Sequence, residues 1–113
     1  MKPLKFVFFI LMFFLTACEK IDDDAPDCIK KLIKHHKSDF VLCESGASVE
    51  QYLFQEKYVY VFGPGKCGAD KQAPVYSENC ELLGYLGGIA GNLIINGERF
   101  DQNATLIKTI WTD

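Results

Sequence analysis

Histidine is scarce in this chain: two residues in 113, standing side by side as His35-His36. On a helix, adjacent side chains point about 100° apart, so the pair cannot converge on one ion with Cys28 and Cys43, and no metal site is expected. Cys-x-x-Cys spacing is missing, which removes a thioredoxin-like redox site. G-x-S-x-G is missing as well, and Ser38, Ser45, Ser48 and Ser77 fall in expected loops, so no nucleophile is set up for acyl transfer. "GPGKCG", Gly63 to Gly68, has glycines and Lys66 but not the G-x-x-x-x-G-K-[ST] order that wraps phosphates before a helix. The glycines of "GYLGGIAGN", Gly84 to Asn92, have no helix pattern behind them, so a dinucleotide fingerprint fails and they read as turn glycines. Glu78 and Glu81 can meet across a turn, but any acidic surface offers such pairs. These absences leave no catalytic constellation and no cofactor site, and the chain is expected not to be an enzyme.

Basic clusters are lacking too. Lys30-Lys31 with Lys34 and Lys37 form only a short helical stripe, so nucleic acid is not an expected partner. No apolar run approaches the roughly 20 residues that cross a bilayer. A shorter one is present: Lys2 and Lys5 precede an almost unbroken apolar stretch from Phe6 to Leu15, the layout of a secretory signal peptide. Cleavage after Ala17 would remove those two lysines from 12 basic side chains and leave all 15 acidic ones, a balance of −5.

At the end of that run, Leu15-Thr16-Ala17-Cys18 resembles the lipobox of bacterial lipoproteins. The resemblance implies that Cys18 receives diacylglycerol and becomes the new N-terminus, acylated in turn. Two or more acyl chains hold a protein stably on a membrane where one does not, since each buried methylene contributes about 0.8 kcal/mol. The following residues, Glu19 to Pro26 with Asp22-Asp23-Asp24 at their centre, are expected to form a solvated acidic tether. Their position resembles the surface-export signal of Bacteroidota-type lipoproteins. The expected address is therefore the outer membrane, at the cell surface or on its periplasmic face. The layout becomes residues 1–17 as signal peptide, 18–26 as lipidated cysteine and tether, and 27–113 as one domain.

Four cysteines remain after Cys18: Cys28, Cys43, Cys67 and Cys80. An even number in an exported domain reads as a disulfide framework with three possible pairings. A helix of about ten residues from Cys28 is roughly 15 Å long, and the chain from Ser38 can return over about 20 Å, so Cys28–Cys43 can close. Cys67–Cys80 would then tie one loop-and-strand excursion. Each bridge is typically worth about 2–4 kcal/mol, which matters in so small a domain.

The fold class expected is α+β: one N-terminal helix packed on a small antiparallel sheet, with two disulfides. Asp27 after Pro26 can cap a helix from Cys28 to Lys37, with Ile29, Leu32, Ile33 and His36 on one face. "SVEQYLFQEKYVYVF" reads as two strands around Gln55-Glu56-Lys57, with Tyr58, Tyr60 and Phe62 on one face and Val59 and Val61 on the other. Apolar residues on both faces call for cover on both sides. Gly63 to Pro74 is a loop; Pro74-Val75-Tyr76 resumes a strand, Ser77-Glu78-Asn79 turns, and Cys80 to Leu86 returns antiparallel. Gly87-Gly88 turns again. Asn96-Gly97 marks a hairpin between Ile94-Ile95 and Arg99-Phe100. The end of the chain suits either a helical face or a strand; a short strand ending at Trp111 is preferred.

The pattern resembles a family of small Bacteroidota-type lipoproteins known only as a domain of unknown function. The residues that carry the likeness are "CIKKLI" from Cys28, "QYLFQEKYVYVF" from Gln51, the later Cys-then-"VY" with its acidic-Asn turn, "GGIAG" and Ile110-Trp111. It implies an address and a fold, and no activity.

Tyr52, Phe54, Tyr58, Tyr60, Phe62, Tyr76, Tyr85, Phe100 and Trp111 are many aromatics for one small domain, and most are needed as core. Any left outside would offer a face to a protein or glycan partner. The expected function is an envelope-anchored lipoprotein serving as a structural or binding module. The alternative is a protease or hydrolase inhibitor presenting the loop around Cys67, held rigid by its bridge.

Overall fold

Pro26 gives its carbonyl to the Lys30 N–H (3.0 Å), so helix α1 (Asp27–Asp39) starts with Asp27 inside its first turn. There a carboxylate faces the positive end of the helix dipole. The helix begins one residue before the expected start and ends two residues beyond the expected stop. The computed structural model describes residues 21–39, 46–65 and 71–112, and the side chains of residues 36–39 are left aside. His36, expected on the apolar face, is therefore outside the described side chains, while Ile29 and Ile33 are fully buried and Leu32 packs beside them.

Seven strands follow among the described residues: β1 (Ser48–Phe54), β2 (Lys57–Gly63), β3 (Gln72–Ser77), β4 (Leu82–Gly87), β5 (Ile94–Ile95), β6 (Glu98–Arg99) and β7 (Thr105–Thr112). Five make one antiparallel sheet in the order β4-β3-β2-β1-β7, and β5-β6 is a separate hairpin. Strand period two sends alternate side chains to opposite faces. On one face, Val49 stands opposite both Phe62 and Trp111. These three join Ala25, Ile29, Ile33, Ala47, Tyr60 and Ile110 in one buried cluster. On the other face, Phe54, Val59 and Val75 pack with Ile95 and Phe100. Each fully buried aliphatic or aromatic side chain contributes about 1.5–3 kcal/mol.

One polar pair is enclosed. Gln51, 8 % exposed, donates from Nε2 to the Tyr60 hydroxyl at 2.9 Å. Burial pushes that phenol's pKa up, against the opposing effect of the Gln51 bond. No buried side-chain nitrogen or oxygen among the described residues lacks a partner.

The second face gets its cover from a short device. Asn96 and Gly97 take the left-handed conformation (φ 49° and 80°) between paired Ile95 and Glu98, the two-residue hairpin that the sequence announces. Phe100 does not continue β6, as expected of it. It opens a single helical turn, α2 (Phe100–Asn103), and inserts its ring against Tyr52 (5.1 Å between centroids) and Phe54 (4.9 Å). Filling the second core outweighs one more rung in a two-stranded ladder. The last segment is a strand, as preferred, and it runs one residue past Trp111.

Two expectations are corrected. The first concerns sulfur: one disulfide is seen among the described residues, and it joins Cys28 to Cys80 across 52 residues (Cα–Cα 6.1 Å). The preferred pairings Cys28–Cys43 and Cys67–Cys80 are both excluded by it. Their ranking weighed closeness along the chain, whereas the sheet brings the β3–β4 turn against the start of α1. Cys43 and Cys67 lie outside the described residues. The second concerns the acidic segment. Residues 21–25 are docked: the Asp22 N–H donates to the Ile110 carbonyl (2.9 Å), Ala25 is buried, and Ile21 packs on the first core. Lys108 Nζ lies 3.1 Å from Asp22 and 3.5 Å from Asp24. Ile21 and Ala25 supply the apolar anchors that a reading of the charges alone passed over.

Candidate functional site

Three tight turns meet at one end of the sheet. The β1–β2 turn and the β3–β4 turn fall there because Phe54 pairs with Lys57 while Val59 pairs with Ser77. The β5–β6 turn reaches the same end because Gln55 Nε2 donates to the Asn96 carbonyl (3.3 Å) and to Glu98 Oε1 (2.8 Å). Between them lies a cleft of about 380 Å³. Tyr58 and Leu83 give the accessible apolar surface, over buried Phe54 and Val59, and Lys57, Ser77, Glu78, Asn79, Glu81 and Asn96 provide polar walls.

Local chemistry explains the turn shapes. The Ser77 hydroxyl accepts the N–H groups of Asn79 (3.2 Å) and Glu81 (3.1 Å), and Ser77 N–H donates to the Glu81 carbonyl (2.9 Å). That leaves Ser77 a turn former rather than a nucleophile. Gln55 and Glu56 both hold positive φ, 53° and 65°, without being glycine or asparagine. The twist of a two-residue hairpin demands this conformation, at a cost of roughly 1–2 kcal/mol per residue. Cys80 (φ 63°) is strained likewise, whereas Asn96 (φ 49°) takes a conformation that asparagine visits readily. All four non-glycine residues with positive φ among the described residues therefore flank this cleft. Such strain persists where surrounding structure over-determines it, and it gathers at binding sites. Here the Cys28–Cys80 bridge and the Gln55 bonds provide the restraint.

The expected site residues distribute unevenly. Cys18 lies outside the described residues, as does the middle of the Gly63 to Pro74 loop (residues 66–70). Because Cys80 is taken by Cys28, it is not the tie that was to hold that loop through Cys67. His35 is exposed on α1. Glu78 and Glu81 do come together, on the cleft wall. No group of three or more metal-ligating side chains occurs among the described residues, and none of their helices is long and apolar enough to cross a membrane. Of the aromatics, Phe54, Tyr60, Phe62, Phe100 and Trp111 are buried, while Tyr58 and Tyr85 are exposed. Lys57 and Asn96 were not singled out from the sequence as wall residues. Each turn is legible alone, but their convergence depends on strand order.

The family described as a domain of unknown function (DUF6970) matches residues 34–113, from the middle of α1 through the end of the chain. No curated protein and no solved structure matches this chain.

Proposed function

The chain belongs to the DUF6970 family, whose description assigns no activity, and from that premise we propose that it is a lipid-anchored binding module of a bacterial cell envelope. Cys18 is the acceptor of the lipid, residues 1–17 are the signal that exports the chain, and the address is the outer membrane. The ligand face is the cleft between the three turns, and the role is binding without catalysis. The observation that carries the binding reading is the gathering of Gln55, Glu56 and Cys80, the strained positive-φ positions among the described residues, around one cleft, with Cys80 fixed by a disulfide. The Cys28–Cys80 bridge supports an oxidising compartment, where such bonds persist.

Replacing Cys18 by Ala tests the anchor. Expressing cells are labelled with a fatty-acid precursor, and the parent should carry acyl label that the variant lacks. Equal acyl label on the variant and the parent would refute Cys18 as the lipid acceptor.

A further inference from the structure

We propose that the cleft takes a saccharide, a neutral sugar ring or short oligosaccharide, an inference that rests on the binding-module reading and names its ligand. The volume, about 380 Å³, is at the small end of the roughly 300–1,000 Å³ of small-molecule sites. Its walls are divided in a way that suits a pyranose. Tyr58, 42 % exposed, and half-buried Leu83 offer an apolar surface to the C–H face of a ring. Glu81 and Glu78 only accept hydrogen bonds, Lys57 only donates, and the amide of Asn79 does both. A ring bearing several hydroxyls, each donor and acceptor at once, can use every member of that set.

Other ligand classes fit less well. A phosphate would meet one ammonium and two carboxylates, and the carboxylates would repel it. A lipid tail would leave the charged wall groups without partners. No ion pair joins Lys57 to Glu78 or Glu81 among the described residues, so their hydrogen-bonding capacity is open to a ligand. The strained turns hold these groups in place before binding, which lowers the ordering cost.

The test uses the detergent-purified full chain on a printed array of neutral and amino-sugar oligosaccharides. The strongest binder is then titrated against the parent, Glu81→Gln, Lys57→Met and Tyr85→Ala, with thermal unfolding confirming that each variant folds. Tyr85 is exposed on β4 and takes no part in the cleft walls. Glu81→Gln and Lys57→Met should each weaken binding about tenfold, the scale of one charge-assisted hydrogen bond, and Tyr85→Ala should leave it unchanged. Saccharide binding that ignores Glu81 and Lys57 overturns the assignment to this cleft. In parallel, amide chemical shifts of the chain are followed with a random-sequence peptide library. Shifts at Lys57, Ser77 and Glu81 with peptide and none with any saccharide overturn the ligand class and keep the binding module. Shifts with neither overturn both.

Discussion

The two faces of the sheet are closed by different means. The first is covered by residues 21–25 and α1, a long cover tied to the β3–β4 turn by a covalent bond at the start of the helix. The second is covered by a hairpin of two-residue strands and one helical turn, without a covalent tie, held by Ile95 and the ring of Phe100. The contrast teaches what each kind of cover needs. A single helix of marginal independent stability gains from a restraint on the unfolded chain. A hairpin that places two large apolar side chains in a socket can rely on shape alone. The cleft opens at the end where the bridge restrains the β3–β4 turn and the hairpin bonds the β1–β2 turn through Gln55, so its geometry depends on both covers.

Removing the bond should have the largest effect. Closing a loop across 52 residues lowers the entropy of the unfolded chain by the equivalent of about 4 kcal/mol. Cys28→Ser with Cys80→Ser should lose stability on that scale in denaturant titration, and hydrogen exchange should accelerate in α1 before the β5–β6 hairpin. Equal acceleration on both faces would show that they do not fold as separable covers.

An intermediate effect is expected on the second face. A Cβ at Gly84 would stand 2.9 Å from Ile95 Cδ1, and Ile95 is 1 % exposed, so its side chain has little room to yield. Gly84→Ala should cost about 1–3 kcal/mol, the price of overpacking, with exchange accelerated at Ile94–Arg99 rather than in α1. An unchanged unfolding midpoint would mean that the hairpin floats on the sheet instead of fitting it.

The smallest effect belongs to Lys108. Asp22 and then Asp24 raise its pKa through hydrogen bonding and charge, yet the ammonium is solvent-accessible. Exposed ion pairs contribute little and are screened over a Debye length of about 8 Å at physiological salt. Lys108→Met should lower stability detectably only at low ionic strength, with the difference from the parent disappearing as salt is added. A loss that persists in high salt would mean that the residue orders segment 21–25 by packing.

Much of the fold is written in local pattern. The alternation of Tyr58-Val59-Tyr60-Val61-Phe62 places a strand with two apolar faces, and Asn96-Gly97 places a hairpin, because both signals are complete within a few residues. What the pattern hides is who sits beside whom. Cys28 and Cys80 meet because β3 and β4 sit at the sheet end beneath the start of α1, a fact of strand order. Phe100 looks like the second residue of a return strand, and the unfilled space beside Phe54 turns it into a helix opener. The acidic run shows how charge can mask anchoring: one isoleucine and one alanine decide the docking of five residues. The candidate cleft follows the same rule, with its turns legible and their meeting not.

That docking has a mechanical consequence. With a lipid on Cys18, only Glu19 and Lys20 separate the anchor from Ile21, and three residue steps reach about 11 Å at most. The segment joins the body beside Ile110, near the Ser48–Thr112 end of the sheet and remote from the three turns. If Cys18 carries lipid as proposed, so short a leash would keep the Ser48–Thr112 end of the sheet near the bilayer and leave the cleft at the end away from it.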